Sequence, residues 1–206
     1  MEQANHFNAF EMDILREIAN IGAGHAATAL AEMLSHQISM EVPELRITPA
    51  EQLAGTFSSP EAEVVGILMD ISGDIEGMLM YIIEKDFCHT LLQVLLNKDI
   101  NNFTEVDEMD ISALTEIGNI VAGAYVNALA EMTGLTLRIS PPSLALDMVG
   151  AILNYPAQLY GSMSDQVLSI EDRFGKDDEQ VSCHLLIMPH PDSLNKMLNQ
   201  LGVQYG

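Results

Sequence analysis

The sequence predicts an α+β fold: a duplicated unit with pseudo-two-fold symmetry, its long helices packed with a mainly antiparallel sheet. Three observations carry this expectation. Residues 13–45 laid over 112–144, an offset of 99 with no gap, agree at 14 of 33 positions, including the ALAEM runs at 29–33 and 128–132. A weaker echo follows at an offset of 106, where 75–96 matches 181–202 in pattern with Leu79/Leu185, Asp86/Asp192, Leu92/Leu198 and Leu95/Leu201 identical. Within each copy, helical periodicity gives way to short β-rich runs and then returns.

Each copy opens on a long helix. In the first, Leu15, Ile18, Ile21, Ala29, Leu30 and Met33 recur near helical spacing, and the second carries the same stripe. Gly22, Ala23, Gly24 and Ala26, with Ala122, Gly123 and Ala124, make one stretch of each helix slim. Glycine lowers helix propensity, so these residues are expected to let one long helix lie closely on the other. The strands expected next are ISMEV (38–42), EVVGILMDI (63–71) and MLMYII (78–83) in the first copy. In the second they are LTLRI (135–139), ALDMVGAIL (145–153), DQVLSIEDRF (165–174) and QVSCHLLIM (180–188). Glycine- and aspartate-rich turn material between them fits antiparallel hairpins, with 175–180 as an exposed tip. Amphipathic helices near 86–97 and 191–201 close the copies. The acidic stretch 97–110 reads as the link, so 1–206 is expected to form a single domain of two halves, about 11–97 and 110–202.

Charge narrows the possible functions. Thirty acidic residues against 8 basic ones give a formal net charge of −22. Such a surface repels nucleic-acid phosphates and anionic lipid heads, so neither nucleic acid nor membrane is an expected partner. A partner with a basic patch, or with a metal-bearing acidic pocket beside a lysine, fits better. No window approaches the roughly 18 apolar residues of a membrane span. The N-terminus lacks a basic segment followed by an apolar one, so a cytoplasmic protein is expected. Cys88 and Cys183 lie far apart and read as small buried hydrophobes. His25 and His36 on a predicted helix, and Cys183-His184 on a predicted strand, form no cluster at zinc-ligand spacing, so no metal centre is expected.

Four positions recur at fixed spacing. Asp13, Glu17, Asn20 and Pro43 in the first copy correspond to Ser112, Glu116, Asn119 and Pro142 in the second, both obeying (Asp/Ser)-x3-Glu-x2-Asn-x22-Pro. Positions i, i+4 and i+7 share one helix face, so the first three project together. The prolines fall beyond the helix near a strand or turn. In a single copy this pattern would read as the solvated side of an amphipathic helix. Between the copies, however, Arg16 is replaced by Thr115, Thr28 by Asn127 and Gln37 by Thr136, whereas the Glu and Asn are kept. That selective retention marks them as functional. Glu32 and Glu131 are also kept but lie 12 residues past the asparagines, over three turns away, and read as helix surface or a structural pair.

The motif, its duplication and the length covered resemble the CheC/CheX/FliY group of chemotaxis phosphatases, and most of all its stand-alone members with two motifs in one chain. The additional flagellar-switch domain of FliY is not expected in 206 residues. The resemblance implies that the protein hydrolyses the aspartyl phosphate of the response regulator CheY, with Glu17, Asn20, Glu116 and Asn119 as catalytic residues. Asp13, Ser112, Pro43 and Pro142 would support the motif or contact the partner. It also implies no cofactor of its own, the Mg2+ being supplied in the phosphorylated regulator. The receptor deamidase CheD is implied as a second partner, with 145–147, and Asp147 in particular, as the candidate surface. A monomer is expected when the chain is alone, because duplication supplies the two-fold arrangement. The competing reading is a non-catalytic binding regulator that mainly controls CheD.

Overall fold

The computed structural model describes residues 8–35, 41–160, 166–174 and 181–202. Helix α1 (Ala9–Leu34) and helix α3 (Glu108–Thr133) are each 26 residues long and correspond end for end at the offset of 99. Their starts are built alike. The Asn8 carboxamide oxygen accepts from the Glu11 N–H at 3.0 Å, and the Glu11 carboxylate accepts from the Asn8 N–H at 2.8 Å. Asp107 and Asp110 repeat this reciprocal cap, which satisfies amide groups the first turn leaves open. Both helices stop at a left-handed residue, Ser35 (φ 51°) and Gly134 (φ 70°), the conformation that terminates a helix and that glycine adopts most readily.

The strands are β1 (Glu44–Pro49), β2 (Glu63–Gly73), β3 (Gly77–Glu84), β4 (Leu137–Ile139), β5 (Ser143–Met148), β6 (Gln166–Phe174) and β7 (Val181–Pro189). They pair antiparallel throughout in the order β1-β6-β7-β3-β2-β4, with β5 also on β2. Exchanging each strand for its counterpart (β1 for β4 and β5, β2 for β6, β3 for β7) leaves that order unchanged when read from the other end. At the centre Met80 lies opposite Leu186, a pair separated by the 106-residue offset, which places the pseudo-two-fold axis between them. Helices α2 (Lys85–Leu96) and α5 (Pro191–Gln200) follow β3 and β7 in the same way.

One face of the sheet, through Val65, Ile67, Met69, Leu79, Tyr81 and Ile83, packs under α1, α3, α2 and α5. The other, through Val64, Met78, Met80, Ile82, Leu186 and Met188, is covered by Leu53 of a 3-10 turn (Ala50–Thr56), by Phe57 just after it and by Val149 and Ile152 of helix α4 (Val149–Tyr160). Burial on both faces explains why MLMYII is apolar without alternation.

Here the structure corrects the sequence reading. The run 145–153 is a strand only to Met148 and helical from Val149. Its apolar residues serve the second sheet face, and a short apolar run does not by itself distinguish strand from helix. The expected strand ISMEV falls largely on residues 36–40, outside the described residues together with His36 and the tip at 175–180. The strand found there is β1, and Glu41 and Val42 precede it. The link is shorter than expected, since 108–110 already belong to α3. Lys98 from the link ion-pairs with Asp107 at 2.8 Å and with the buried Asp110.

The slim stretch works as expected at one glycine. A Cβ on Gly22 would lie 2.4 Å from Cδ1 of Tyr125, so α1 passes directly under that ring. Gly22→Ala is expected to destabilise the protein by about 1–3 kcal/mol, because the ring has no room to retreat. Chemical denaturation measures this, and an unchanged midpoint would contradict the packing.

The Tyr125 hydroxyl donates to both carboxylate oxygens of Asp172 on β6, at 2.7 and 2.9 Å. Beneath it the Tyr81 hydroxyl donates to Cys183 Sγ at 2.9 Å. Both cysteines are free and buried, as expected. Asp172 is 0% exposed. Burial pushes its carboxyl up to about 7, against the smaller opposing effects of the Tyr125 hydrogen bond and the His184 charge. The folded pKa thus lies above the unfolded one. Below about pH 4 both states hold the proton, whereas between about 4 and 7 the unfolded chain releases it first, so stability falls as pH rises through that window. The loss is on the order of 4 kcal/mol. Asp172→Asn keeps an acceptor for Tyr125 and should remove this slope. Urea titrations of both proteins across the window test it, and parallel curves would refute it.

Candidate active site on two paired helices

The buried stripes of α1 and α3 determine which residues face outward. Leu15, Ile18, Ala19, Gly22, Ala23, Ala26 and Leu30 turn inward on α1, as do Leu114, Ile117, Gly118, Val121, Ala122, Tyr125 and Leu129 on α3. With 3.6 residues per turn, the opposite side of α1 carries Asp13, Glu17 and Asn20, all exposed. On α3 the same line holds exposed Ser112 and Glu116 and half-buried Asn119. Each Glu and Asn is therefore on the surface of a helix whose other side is anchored in the core, which fixes the backbone it projects from.

Among the described residues, no hydrogen bond or ion pair engages Glu17, Asn20, Glu116 or Asn119. Their polar groups remain available to something outside the chain. Asp13 differs in being paired with Arg16 at 3.0 Å, an exposed contact of little energetic weight. Ser112 lacks that neighbour, Thr115 standing in place of Arg16, with its hydroxyl donating to the Ile111 carbonyl at 2.6 Å. The first motif thus presents a paired carboxylate where the second presents a hydroxyl.

Pro43 and Pro142 lie just before β1 and β5, half-buried. Pro142 lies between β4 and β5 and Pro43 directly ahead of β1, in keeping with the expectation that they lie near a strand. Glu32 and Glu131 are exposed and form no pair with each other. Asp147 is exposed on β5 and lines a groove of about 260 Å3 with Leu68, Leu144, Ile152 and Tyr155, away from both Glu/Asn lines. No three histidine, cysteine, aspartate or glutamate side chains among the described residues converge as metal ligands. No helix among them is long and apolar enough to cross a membrane.

The sequence reading passed over one pair on this surface. Gly24 and Gly123 continue each line one turn past the asparagine, although composition groups them with the packing glycines. Their identity at the 99-residue offset was the available signal.

Known proteins match both lines. A sequence model of the CheC-like family matches residues 10–47 and 109–146, the two segments that carry the motifs. The CheY-P phosphatase CheC of Bacillus subtilis (strain 168) is 34% identical over 197 residues, 93% of this chain and 94% of that protein. The flagellar motor switch phosphatase FliY of the same organism is 22% identical over 145 residues, 70% of this chain and 38% of that protein. In three dimensions, the crystal structure of Thermotoga maritima FliY superposes with a TM-score of 0.74 at 23% identity, covering 95% of this chain and 98% of that one, and so shares its fold.

Proposed function

This chain belongs to the CheC-like family, and on that premise we propose that it hydrolyses the aspartyl phosphate of the response regulator CheY. The observation that carries the proposal is the pair of outward Glu-x2-Asn lines, held by anchored helices and engaged by nothing among the described residues. The relative named as a CheY-P phosphatase and the one named as a flagellar motor switch phosphatase support the same chemistry.

An aspartyl phosphate is an acyl phosphate. Hydrolysis brings a water oxygen to phosphorus while the bond from phosphorus to the carboxylate oxygen breaks. Inorganic phosphate leaves, carrying the water's oxygen, and the carboxylate is regenerated. The partner brings the phosphoryl group, together with a Mg2+ ion that offsets its charge. This chain contributes geometry, which is a large part of phosphoryl-transfer catalysis. A carboxamide holds both an acceptor and donors, so Asn20 or Asn119 can fix one water in line with the scissile bond. Glu17 or Glu116, one turn earlier, pairs with the lysine beside the phosphorylated aspartate and sets the docking angle. Two lines on one chain make two such sites.

The test is to mix the protein with phosphorylated CheY and Mg2+ and follow phosphate release. Acceleration at substoichiometric protein is expected. An unchanged phosphate lifetime would leave a binding regulator as the function. The proposal extends to a regulatory contact with CheD at the surface around Asp147, which is exposed and separate from the catalytic lines. Capture of CheD by the wild type and its loss in Asp147→Arg is the expected result; equal capture would move that contact elsewhere.

A further inference from the structure

We propose that Gly24 and Gly123 are clearance positions, bare stretches of helix surface that let the phosphorylated partner come down onto α1 and α3 beside each asparagine. The inference rests on the phosphatase reading above and names residues of the docking surface beyond the Glu/Asn pairs.

Glycine weakens a helix interior more than any residue except proline. A helix therefore keeps one for a reason: a positive φ, a close neighbour inside the protein, local flexibility, or a close neighbour outside it. The first reason is excluded, because the glycines with positive φ are Gly73, Gly134 and Gly202. The second accounts for other glycines of the same two helices. A Cβ on Gly22 would collide with the Tyr125 ring, and one on Gly118 would come 2.6 Å from Cδ1 of Ile67. It does not account for Gly24 or Gly123, where an added Cβ would meet, among the described residues, no atom within 4 Å beyond its chain neighbours and the adjacent backbone of its own helix. Both helices run unbroken through these positions for 26 residues, so neither glycine ends or interrupts its helix.

What remains is an external neighbour, and the placement agrees. Gly24 is four residues past Asn20 and seven past Glu17; Gly123 stands in the same relation to Asn119 and Glu116. Spacings of four and seven put them on the motif face. The glycines are identical in the two copies, as are Ala23 and Ala122 before them, whereas the positions that follow differ, His25, Ala27 and Thr28 corresponding to Ala124, Val126 and Asn127. A partner whose acyl phosphate must reach a water held by the asparagine has to bring its own loops against the helix at this level. A side chain there would keep those loops from seating on the helix and so weaken docking.

Structural and clearance roles predict opposite outcomes for one variant. Gly24→Ala with Gly123→Ala should raise Tm by about 2–4 °C per substitution, because alanine favours the helix and nothing is displaced. The same protein should lose activity on phosphorylated CheY through a KM raised about tenfold, since overpacking a close contact weakens it by that order, with kcat much less affected. Gly24→Leu with Gly123→Leu should lose more, in proportion to side-chain size. An active wild type with fully active alanine and leucine variants would overturn the clearance role and leave the phosphatase reading intact. A fall in Tm of the alanine variant, or a full loss already reached at alanine with kcat alone affected, would assign the glycines to the helix itself and also overturn it. A wild type that does not hasten phosphate release would overturn the underlying reading and this inference with it.

Discussion

Asn20→Ala combined with Asn119→Ala is expected to slow dephosphorylation of CheY by about 100-fold or more, the scale on which loss of a positioning group misplaces a reactant. Both asparagines are on the surface of helices fixed by their opposite sides, so their removal deletes a carboxamide without opening the core. Binding to CheY carrying a stable phosphate mimic should change little, because Glu17 and Glu116 remain. Either single variant should keep substantial activity through the other line. A double variant that hydrolyses at the wild-type rate would refute the water-positioning role even within this family.

Glu17→Lys with Glu116→Lys should fail in the converse manner. Each new ammonium would face the partner's lysine, and like charges brought together at an interface oppose each other by several kcal/mol, so binding of the phosphate-mimic form should weaken about 100-fold or more. These carboxylates form no hydrogen bond or ion pair with the described residues of their own chain, so Tm should hold. A matching charge reversal on the partner's lysine should restore part of the binding. Unaltered affinity of the double variant would remove the docking role from the glutamates.

Together the two experiments separate placing a water from holding a partner. In each line both residues project from one face, and neither has a hydrogen-bond or ion-pair partner among the described residues. Had Glu17 been tied to a neighbouring lysine, its charge would have been partly spent inside the chain. The comparison with Asp13, which is engaged by Arg16, shows that the outward face is not uniform. Glu17→Lys would also place a new cation next to that pair, so the second line, without an arginine at the equivalent position, gives the cleaner reading when studied alone.

Much of the fold was legible because it follows from local regularities. The 99-residue offset found by aligning letters recurs in the ends of α1 and α3 and in the ends of β1 and β5. The hairpin strands β2, β3, β6 and β7 were visible as β-rich runs between turn residues. The same method failed at 145–153, where β5 hands over to α4 in the middle of an apolar stretch. It failed again at Gly24, which resembles Gly22 in composition and differs from it only in what lies opposite.

The sequence by itself determined the duplication, the outward Glu/Asn lines and the acidic character of the surface. These depend on spacing along one helix, on comparison of two copies, or on counting charges, and none requires knowing a distant neighbour. Tertiary structure alone decided which glycine is packed and which is bare, why MLMYII is covered on both sides, and why Asp172 holds its proton to about pH 7. Each of those rests on residues far apart in the chain, such as Gly22 with Tyr125 and Tyr125 with Asp172, meeting only when the sheet and its helices assemble.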